Sequence, residues 1–243
     1  MESFVEYYWA GRKGHLIGIG GVSMSPLAEV LAEAGLVITG SDINDSANVQ
    51  HLRSKGIQVF MGHSADNIPA DAEFVVRTAA VRDNNPEVIE AHRRGIPVFE
   101  RTQAWGAIMK DYRNSLCISG THGKTTTTSM CTHILMAAER DPTVMIGGTL
   151  PLLHAAHRVG AGDTIVMEAC EYYNSFLSFS PTVAVILNIE PDHLDFFKDI
   201  EDIKASFRKF ASLVPPHGHI SVVPRTYAMP CSAALAMKPG TAE

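Results

Sequence analysis

Apolar residues along this chain follow two alternating rhythms. Short unbroken runs, such as "HLIGI" (His15–Ile19), "FVV" (Phe74–Val76), "TIVM" (Thr164–Met167) and "VAVIL" (Val183–Leu187), are bounded by Gly, Pro and polar residues. Runs of this kind predict strands buried on both faces. Between them, apolar residues recur every three or four positions. Met24, Leu27, Ala28, Leu31 and Ala34 form one such set, with Ser23 or Ser25 as a cap, Pro26 early and Gly35 at the end. That pattern predicts a helix. "ANVQHLRSKG" and "NPEVIEAHRRG" predict two more helices, and "VITGSD", "IQVFMG", "AEFVVRTAAV" and "IPVFE" predict strands. Strand alternating with helix implies a parallel sheet with crossover helices.

The rhythm pauses at residues 101–114, which read as a connector, and resumes with the strand "SLCIS" and a helix through Ala138. "DTIVMEA" and "TVAVILNI" follow as strands. Ile200, Ile203, Phe207, Phe210 and Leu213 then line one face of a predicted helix, and "HISVV" reads as one more strand. The expected organisation is a first unit at 1–100, a linker at 101–114, a second unit at 115–223 and a patternless tail at 224–243, expected to be loosely ordered. The fold class is α/β: a Rossmann-like parallel-sheet domain, then an incomplete ATPase-type domain with a phosphate loop.

Composition changes this picture little. The chain has 243 residues, enough to bury a sizeable core, with 46% hydrophobic and 19% charged residues. The net charge of −6 gives no basic field for nucleic acid. The four cysteines (Cys117, Cys131, Cys170, Cys231) form neither a CxxC pair nor a zinc spacing, and read as reduced thiols in a cytoplasmic protein. "MESFVEYYWAGRKG" lacks the continuous apolar stretch of a signal peptide, and no run is long enough to span a bilayer.

The candidate chemistry lies where strands run into turns. "GTHGKTT" follows a strand and opens a helix, supplying Gly120, Thr121, His122, Gly123, Lys124, Thr125 and Thr126. Such a loop presents N–H groups to phosphates, a lysine to the outer oxygens and a hydroxyl to magnesium. The usual pattern has glycine five positions before the Gly-Lys pair. Here that position is Ile118, so the loop is a shortened variant. The bland alternative is a threonine-capped turn that happens to contain a lysine.

"GIGGVSMSPLA" is a second glycine turn, with Gly18, Gly20 and Gly21, and Ser23 in the third glycine position. Asp42 ends the next strand, where a ribose-binding acid belongs. Taken alone, this turn fits NAD, FAD, another nucleotide diphosphate or no ligand. Glu168 and Glu171 end a buried strand and suit magnesium, or cap a helix. Asn188, Glu190, Asp192, His193 and Asp195 follow the next strand, and the His and Asp residues among them suit a second metal, although His193 fits a core or capping role equally well.

Taken in order, "HLIGIGGVSMSPLAEVL", "GSD", "NPEV", "GTHGKTTTT", "EACEY", "NIEPDHLD" and "FRKFASLVPPHG" resemble the Mur ligase family, in its alanine-adding branch. The resemblance runs from about His15 to about Val222. It implies an ATP-dependent ligase of peptidoglycan precursor synthesis, joining L-alanine to the carboxylate of UDP-N-acetylmuramate through an acyl phosphate.

The same resemblance assigns residues. The first domain would bind the UDP-sugar through Gly18, Gly20, Gly21, Ser23, Met24, Ser41, Asp42 and Thr78. The phosphate loop would hold ATP, and Lys124, Glu171 and His193 would be catalytic. Thr125 and Glu171 would hold one Mg2+, with His193 on another. The family's further strands and third domain are not matched after "GHISVV", so the sequence reads as truncated, with an exposed sheet edge. Arg82 stands where the family is usually apolar. The rival readings are a non-catalytic UDP-sugar or nucleotide binder, a sister ligase that adds a ready-made peptide, and a Rossmann oxidoreductase. Absorbance from a bound flavin or nicotinamide would reveal the last.

Overall fold

The computed structural model describes residues 3–78, 80–153 and 155–222. Within them the chain builds two sheets in succession. The first contains β1 (Lys13–Ile17), β2 (Val37–Asp42), β3 (Gln58–Met61), β4 (Phe74–Arg77) and β5 (Val98–Glu100) in the order β3-β2-β1-β4-β5, all parallel. Its helices are α1 (Ser25–Glu33), α2 (Ala47–Ser54) and α3 (Pro86–Arg93). The strand order reverses between β1 and β4. That is where an open parallel sheet forms its ligand crevice.

Local chemistry explains the helix ends. Ser46 caps α2 by accepting from the Val49 N–H, and Asn85 caps α3 by accepting from the Glu87 N–H, with Pro86 next. The helix α1 departs from expectation. Met24 precedes it without a side-chain cap, and Ser25 is its first residue, its buried hydroxyl finding no partner.

Residues 101–114, expected as a connector, are mostly helical. Arg101–Ile108 form α4, started by a reciprocal Glu100–Gln103 capping box, and a short 3-10 turn follows at Met109–Asp111. The reason is burial. Ala104, Trp105, Ala107 and Ile108 are all core residues, and Trp105 shares its cluster with Phe176 and Phe179 of the second unit. Because α4 is buried nearly all round, it has no clean amphipathic stripe to read.

The second sheet contains β6 (Asn114–Ser119), β7 (Thr143–Leu150), β8 (Ala155–Arg158), β9 (Thr164–Glu168), β10 (Val183–Ile186) and β11 (His219–Val222) in the order β11-β10-β6-β9-β7-β8. All neighbours are parallel except β7 and β8, which form an antiparallel pair. Sequence patterning leaves residues 139–162 without a strand. Its glycines and prolines masked β7, and β8 carries a half-buried, weakly apolar sequence. The helix α5 (Lys124–Ala137) packs on this sheet.

The helix α6 (Ile200–Ala211) buries Ile203, Phe207 and Phe210, as its periodicity predicts, and Asp199 caps it. Each such side chain contributes about 1.5–3 kcal/mol. Leu213 is only partly covered. Every residue of β11 is exposed, and it is the last strand at that edge among the described residues. The expectation of a loosely ordered tail lies outside the described residues. No helix among them is long and apolar enough to cross a membrane.

One buried polar cluster lies below the first crevice. Glu87 is fully buried. It accepts from Ser41 Oγ at 2.7 Å and Asn67 Nδ2 at 2.6 Å, and it sits 3.0 Å from His63 Nδ1 and 3.8 Å from His15 Nε2. Burial alone would raise its pKa, but the nearby His15 and the hydrogen bonds from Ser41 and Asn67 outweigh this and lower it. A lowered folded-state pKa stabilises the protein above the unfolded carboxylate value, about 4.3. That stability is lost as pH falls through the folded value. Glu87→Gln is therefore expected to cost about 1.5–3 kcal/mol near neutral pH. Thermal unfolding should show the gap to the parent closing on acidification. A gap that stays constant with pH would contradict the ionised-carboxylate account.

Candidate active site

The phosphate-loop candidate lies between β6 and α5, flanked by the ends of β9 and β10. Gly120 and Gly123 adopt φ of +136° and +84°, values that L side chains rarely adopt. A Cβ on Gly120 would also press within 3.1 Å of the Asn188 backbone. The segment after β10 clamps the loop. Thr121 N–H donates to Asn188 O at 3.1 Å, and His122 N–H donates to Asn188 Oδ1 at 2.8 Å. Asn188 Nδ2 returns a bond to His122 O at 3.0 Å. Asn188 thus secures the loop's shape rather than offering a metal ligand.

The loop leaves donors free. Thr127 N–H is the first to bond back into the helix, to Gly123 O. Among the described residues, the N–H groups of Gly123, Lys124, Thr125 and Thr126 have no acceptor. Four free donors at a helix N-terminus suit a polyphosphate. The threonine run divides in two. Thr128 and Thr132 donate back to the carbonyls four residues earlier and are buried, while Thr125 and Thr126 are exposed at the loop. Lys124 Nζ donates to Gly120 O at 2.6 Å and Thr121 O at 3.2 Å, and pairs with Glu171 at 3.1 Å. Glu171 is 2% exposed, so this is a nearly buried ion pair.

The carboxylates sort differently from expectation. Thr125 Oγ1 meets Glu168, not Glu171, at 2.9 Å, and Glu168 also accepts from Gly147 N–H at 2.7 Å. Glu171 instead groups with Asp192 and His193, whose ligand atoms lie within 4.8 Å of one another. Sequence order could not separate the two acids. They are three residues apart, and the chain bends away from the strand after Glu168. His122, placed in the phosphate loop from sequence, is exposed, 3.6 Å from Glu190.

Across the cleft stands the glycine turn after β1. Gly18 and Ile19 N–H both donate to Ser41 O, and Gly20 N–H donates to Asp42 Oδ2 at 2.8 Å. Asp42 also accepts from Asn44 N–H at 3.0 Å, so its carboxylate braces the turn. Thr78 directly follows β4, beside Gly18. Of the other residues expected at the substrate, Ser23 lies at the cleft. Met24 is fully buried in the core, and the Ser41 side chain is turned into the Glu87 cluster. Among the described residues, Val22 and Ser23 N–H groups have no acceptor.

Between the glycine turn and the second sheet is a cleft of about 270 Å³ lined by Ser23, Arg101, Trp105, Gly147, Glu168 and Cys170, among others. Sequence reading missed Arg101 because it fell in the presumed connector. Its guanidinium donates to Ser23 Oγ, and among the described residues it has no carboxylate within ion-pair distance. Burial lowers its pKa, with Cys170 and Glu100 pulling the other way. Arg101 also opens α4, so its charge faces the positive end of the helix dipole. A half-buried cation so placed suits an anion. Burial raises the Cys170 thiol pKa, which leaves it a poor nucleophile.

A glycine-threonine loop opening a helix on one sheet, and a glycine turn opening a helix on the other, define a two-unit parallel-sheet α/β protein. Two family models match it: "Mur ligase family, catalytic domain" over residues 13–113 and "Mur ligase middle domain" over 118–237. The chain belongs to the Mur ligase family. The second match extends into the stretch read from sequence as an unmatched tail.

Similar curated proteins include the UDP-N-acetylmuramate–L-alanine ligase of Clostridium botulinum (strain Langeland), 48% identical over 206 residues, covering 85% of this chain and 45% of that one. The same-named protein of Agathobacter rectalis is 53% identical over 198 residues, covering 82% and 43%. Among solved structures, UDP-N-acetylmuramate-alanine ligase MurC of Thermotoga maritima superposes with a TM-score of 0.75 at 33% identity, covering 86% of this chain and 48% of that one. A UDP-N-acetylmuramate:L-alanyl-gamma-D-glutamyl-meso-diaminopimelate ligase of Neisseria meningitides gives 0.77 at 29% identity, covering 89% and 72%. The chain thus spans a little under half the length of the curated relatives it matches.

Proposed function

We propose that this chain carries the UDP-sugar and ATP sites of a ligase that joins L-alanine to UDP-N-acetylmuramate. The observation that carries the reading is the loop at Gly123–Thr126, with four free N–H donors, Lys124 beside them and Thr125 against Glu168. This donor set fits ATP with Mg2+. The free N–H groups and Lys124 would take the phosphates. Thr125 with Glu168, and Glu171 with Asp192 and His193, would hold hard divalent cations through oxygen and imidazole ligands. Bound Mg2+ would neutralise charge on the transferring phosphoryl group.

In the proposed reaction the muramoyl carboxylate attacks the γ-phosphorus, giving an acyl phosphate and ADP. The amine of alanine then attacks the acyl carbon, an amide forms, and phosphate leaves with the C–O electron pair. The residues position rather than bond covalently. Val22, Ser23 and Arg101 face the cleft from the first unit, where they suit the substrate's diphosphate. Arg101→Ala is expected to weaken UDP-N-acetylmuramate binding about tenfold or more, by loss of a charge-assisted contact. Uridine, which lacks phosphate, should be affected little, and titration calorimetry reads both. Equal losses for the two ligands would remove Arg101 from the anion site.

Phosphate release with UDP-N-acetylmuramate, L-alanine, ATP and Mg2+ tests the whole reading. Release that needs every component supports a ligase. Binding of the UDP-sugar without release leaves a binding function. Release with a preformed peptide, and not with alanine, assigns the sister activity.

A further inference from the structure

We propose that Tyr172 and Asp195 are a positioning pair that aims the His193 imidazole at Glu171 and Asp192 and so sets how tightly a cation is held there. The proposal rests on the reading of Glu171, Asp192 and His193 as cation ligands. Tyr172 directly follows Glu171, and its ring stacks on His193 with centroids 4.3 Å apart and planes at 21°. The Tyr172 hydroxyl donates to Asp195 Oδ2 at 2.5 Å. Asp195 lies two residues beyond His193. One side chain therefore ties the loop after β9 to the loop after β10, and its face covers one face of the ligand ring.

The backbone shows why a tie is needed. His193 sits at φ +51°, and Tyr173 and Asn174 in the facing loop sit at +53° and +56°. Left-handed residues other than glycine cost about 1–2 kcal/mol each, so their surroundings must hold them. The His193 backbone is held: its carbonyl accepts from Phe196 and Phe197 N–H at 2.9 Å, and its own N–H donates to Asp192 Oδ1 at 2.7 Å. Among the described residues, the ring is not held by a hydrogen bond. Nε2 stands 3.8 Å from Asp192, and the side chain is 31% exposed. Without Tyr172 it would turn toward water. Phe196 meets the Tyr172 ring edge-on at 6.2 Å and Tyr173 packs on it at 4.3 Å, limiting where Tyr172 itself can go.

A purely structural Tyr172 would alter the melting temperature and nothing else. A positioning Tyr172 also alters cation affinity and the surroundings of the His193 ring. Two readouts on the full chain separate these. One is Mn2+ binding, followed by the paramagnetic resonance of free Mn2+ with a non-hydrolysable ATP analogue present. The other is the proton resonance of the His193 ring. His193→Ala is expected to weaken Mn2+ binding at least tenfold. Tyr172→Leu should weaken it about tenfold, the usual scale for a group that orients a metal ligand. It should also move the His193 resonance downfield as the ring current is lost. Tyr172→Phe keeps the stacked ring and should stay closer to the parent. Asp195→Asn tests the tie without touching the core, and should lower affinity less than Tyr172→Leu. Parent affinity in both Tyr172→Leu and Asp195→Asn, with His193→Ala impaired, overturns the proposal. Parent affinity in His193→Ala overturns the cation-site reading beneath it.

Discussion

Lys124→Ala is expected to reduce substrate-dependent phosphate release by about 10²–10³-fold while leaving UDP-sugar binding intact, because a fixed charge on the phosphoryl oxygens is lost. A second effect follows from what Lys124 does before nucleotide arrives. Its ammonium compensates Glu171, which is 2% exposed. Removing one partner of a buried pair leaves the other charge uncompensated, at a cost of about 3–5 kcal/mol. Lys124→Ala alone would therefore mix lost chemistry with lost stability. Lys124→Ala combined with Glu171→Gln removes both charges. The double variant is expected to recover most of the melting temperature and none of the turnover. Recovery of both would show that Lys124 acts through the fold and not on phosphate. The same pair gives Lys124 an alternative partner that nucleotide must displace, so Glu171→Gln alone should change the apparent affinity for ATP without changing that for the UDP-sugar.

The legibility of this molecule follows from where its signals are local. Parallel strands buried on both faces leave continuous apolar runs, so β1, β6, β9 and β10 were readable, as were α2, α3 and α6 from their apolar spacing. The loop between β6 and α5 was readable as a strand-to-helix turn because its glycines, lysine and threonines are consecutive, and the free N–H groups at Gly123–Thr126 fall within them. The rest depended on long-range contact. The helix α4 owes its shape to burial of Trp105 between the two units, and nothing in residues 101–108 repeats with helical period. Arg101 was hidden with it. The Glu168–Glu171 assignment depended on which acid points back along the strand end toward Thr125, and sequence spacing carries no such direction. Met24 and Ser41 were placed at the substrate by resemblance, yet their side chains face the core and the Glu87 cluster.

Gly106→Ala tests the joint between the units, where a large loss of stability is expected. A Cβ built on Gly106 would lie 1.8 Å from Ser178 O and 2.9 Å from Ser178 C, both backbone atoms that cannot rotate aside. The same contact is fastened by Ser180 Oγ donating to Gly106 O at 2.9 Å. One methyl group must therefore push α4 off the 3-10 segment Tyr172–Ser178. Overpacking of this kind costs about 3 kcal/mol or more when backbone blocks relaxation. At this chain length that lowers the melting temperature by about 6–12 °C. Gly148→Ala is the control, since its Cβ would meet only Thr125 Cγ2 at an ordinary 3.6 Å. The functional consequence separates steric strain from general loosening. The helix α4 carries Arg101 and Trp105, both of which reach Ser23 at the glycine turn. Displacing the helix should thus weaken UDP-sugar binding, while ATP, held by the loop between β6 and α5, binds nearly as before. Equal loss of both ligands at a temperature where the variant is folded would mean that α4 governs the whole cleft, and that the two sites do not act as separable halves.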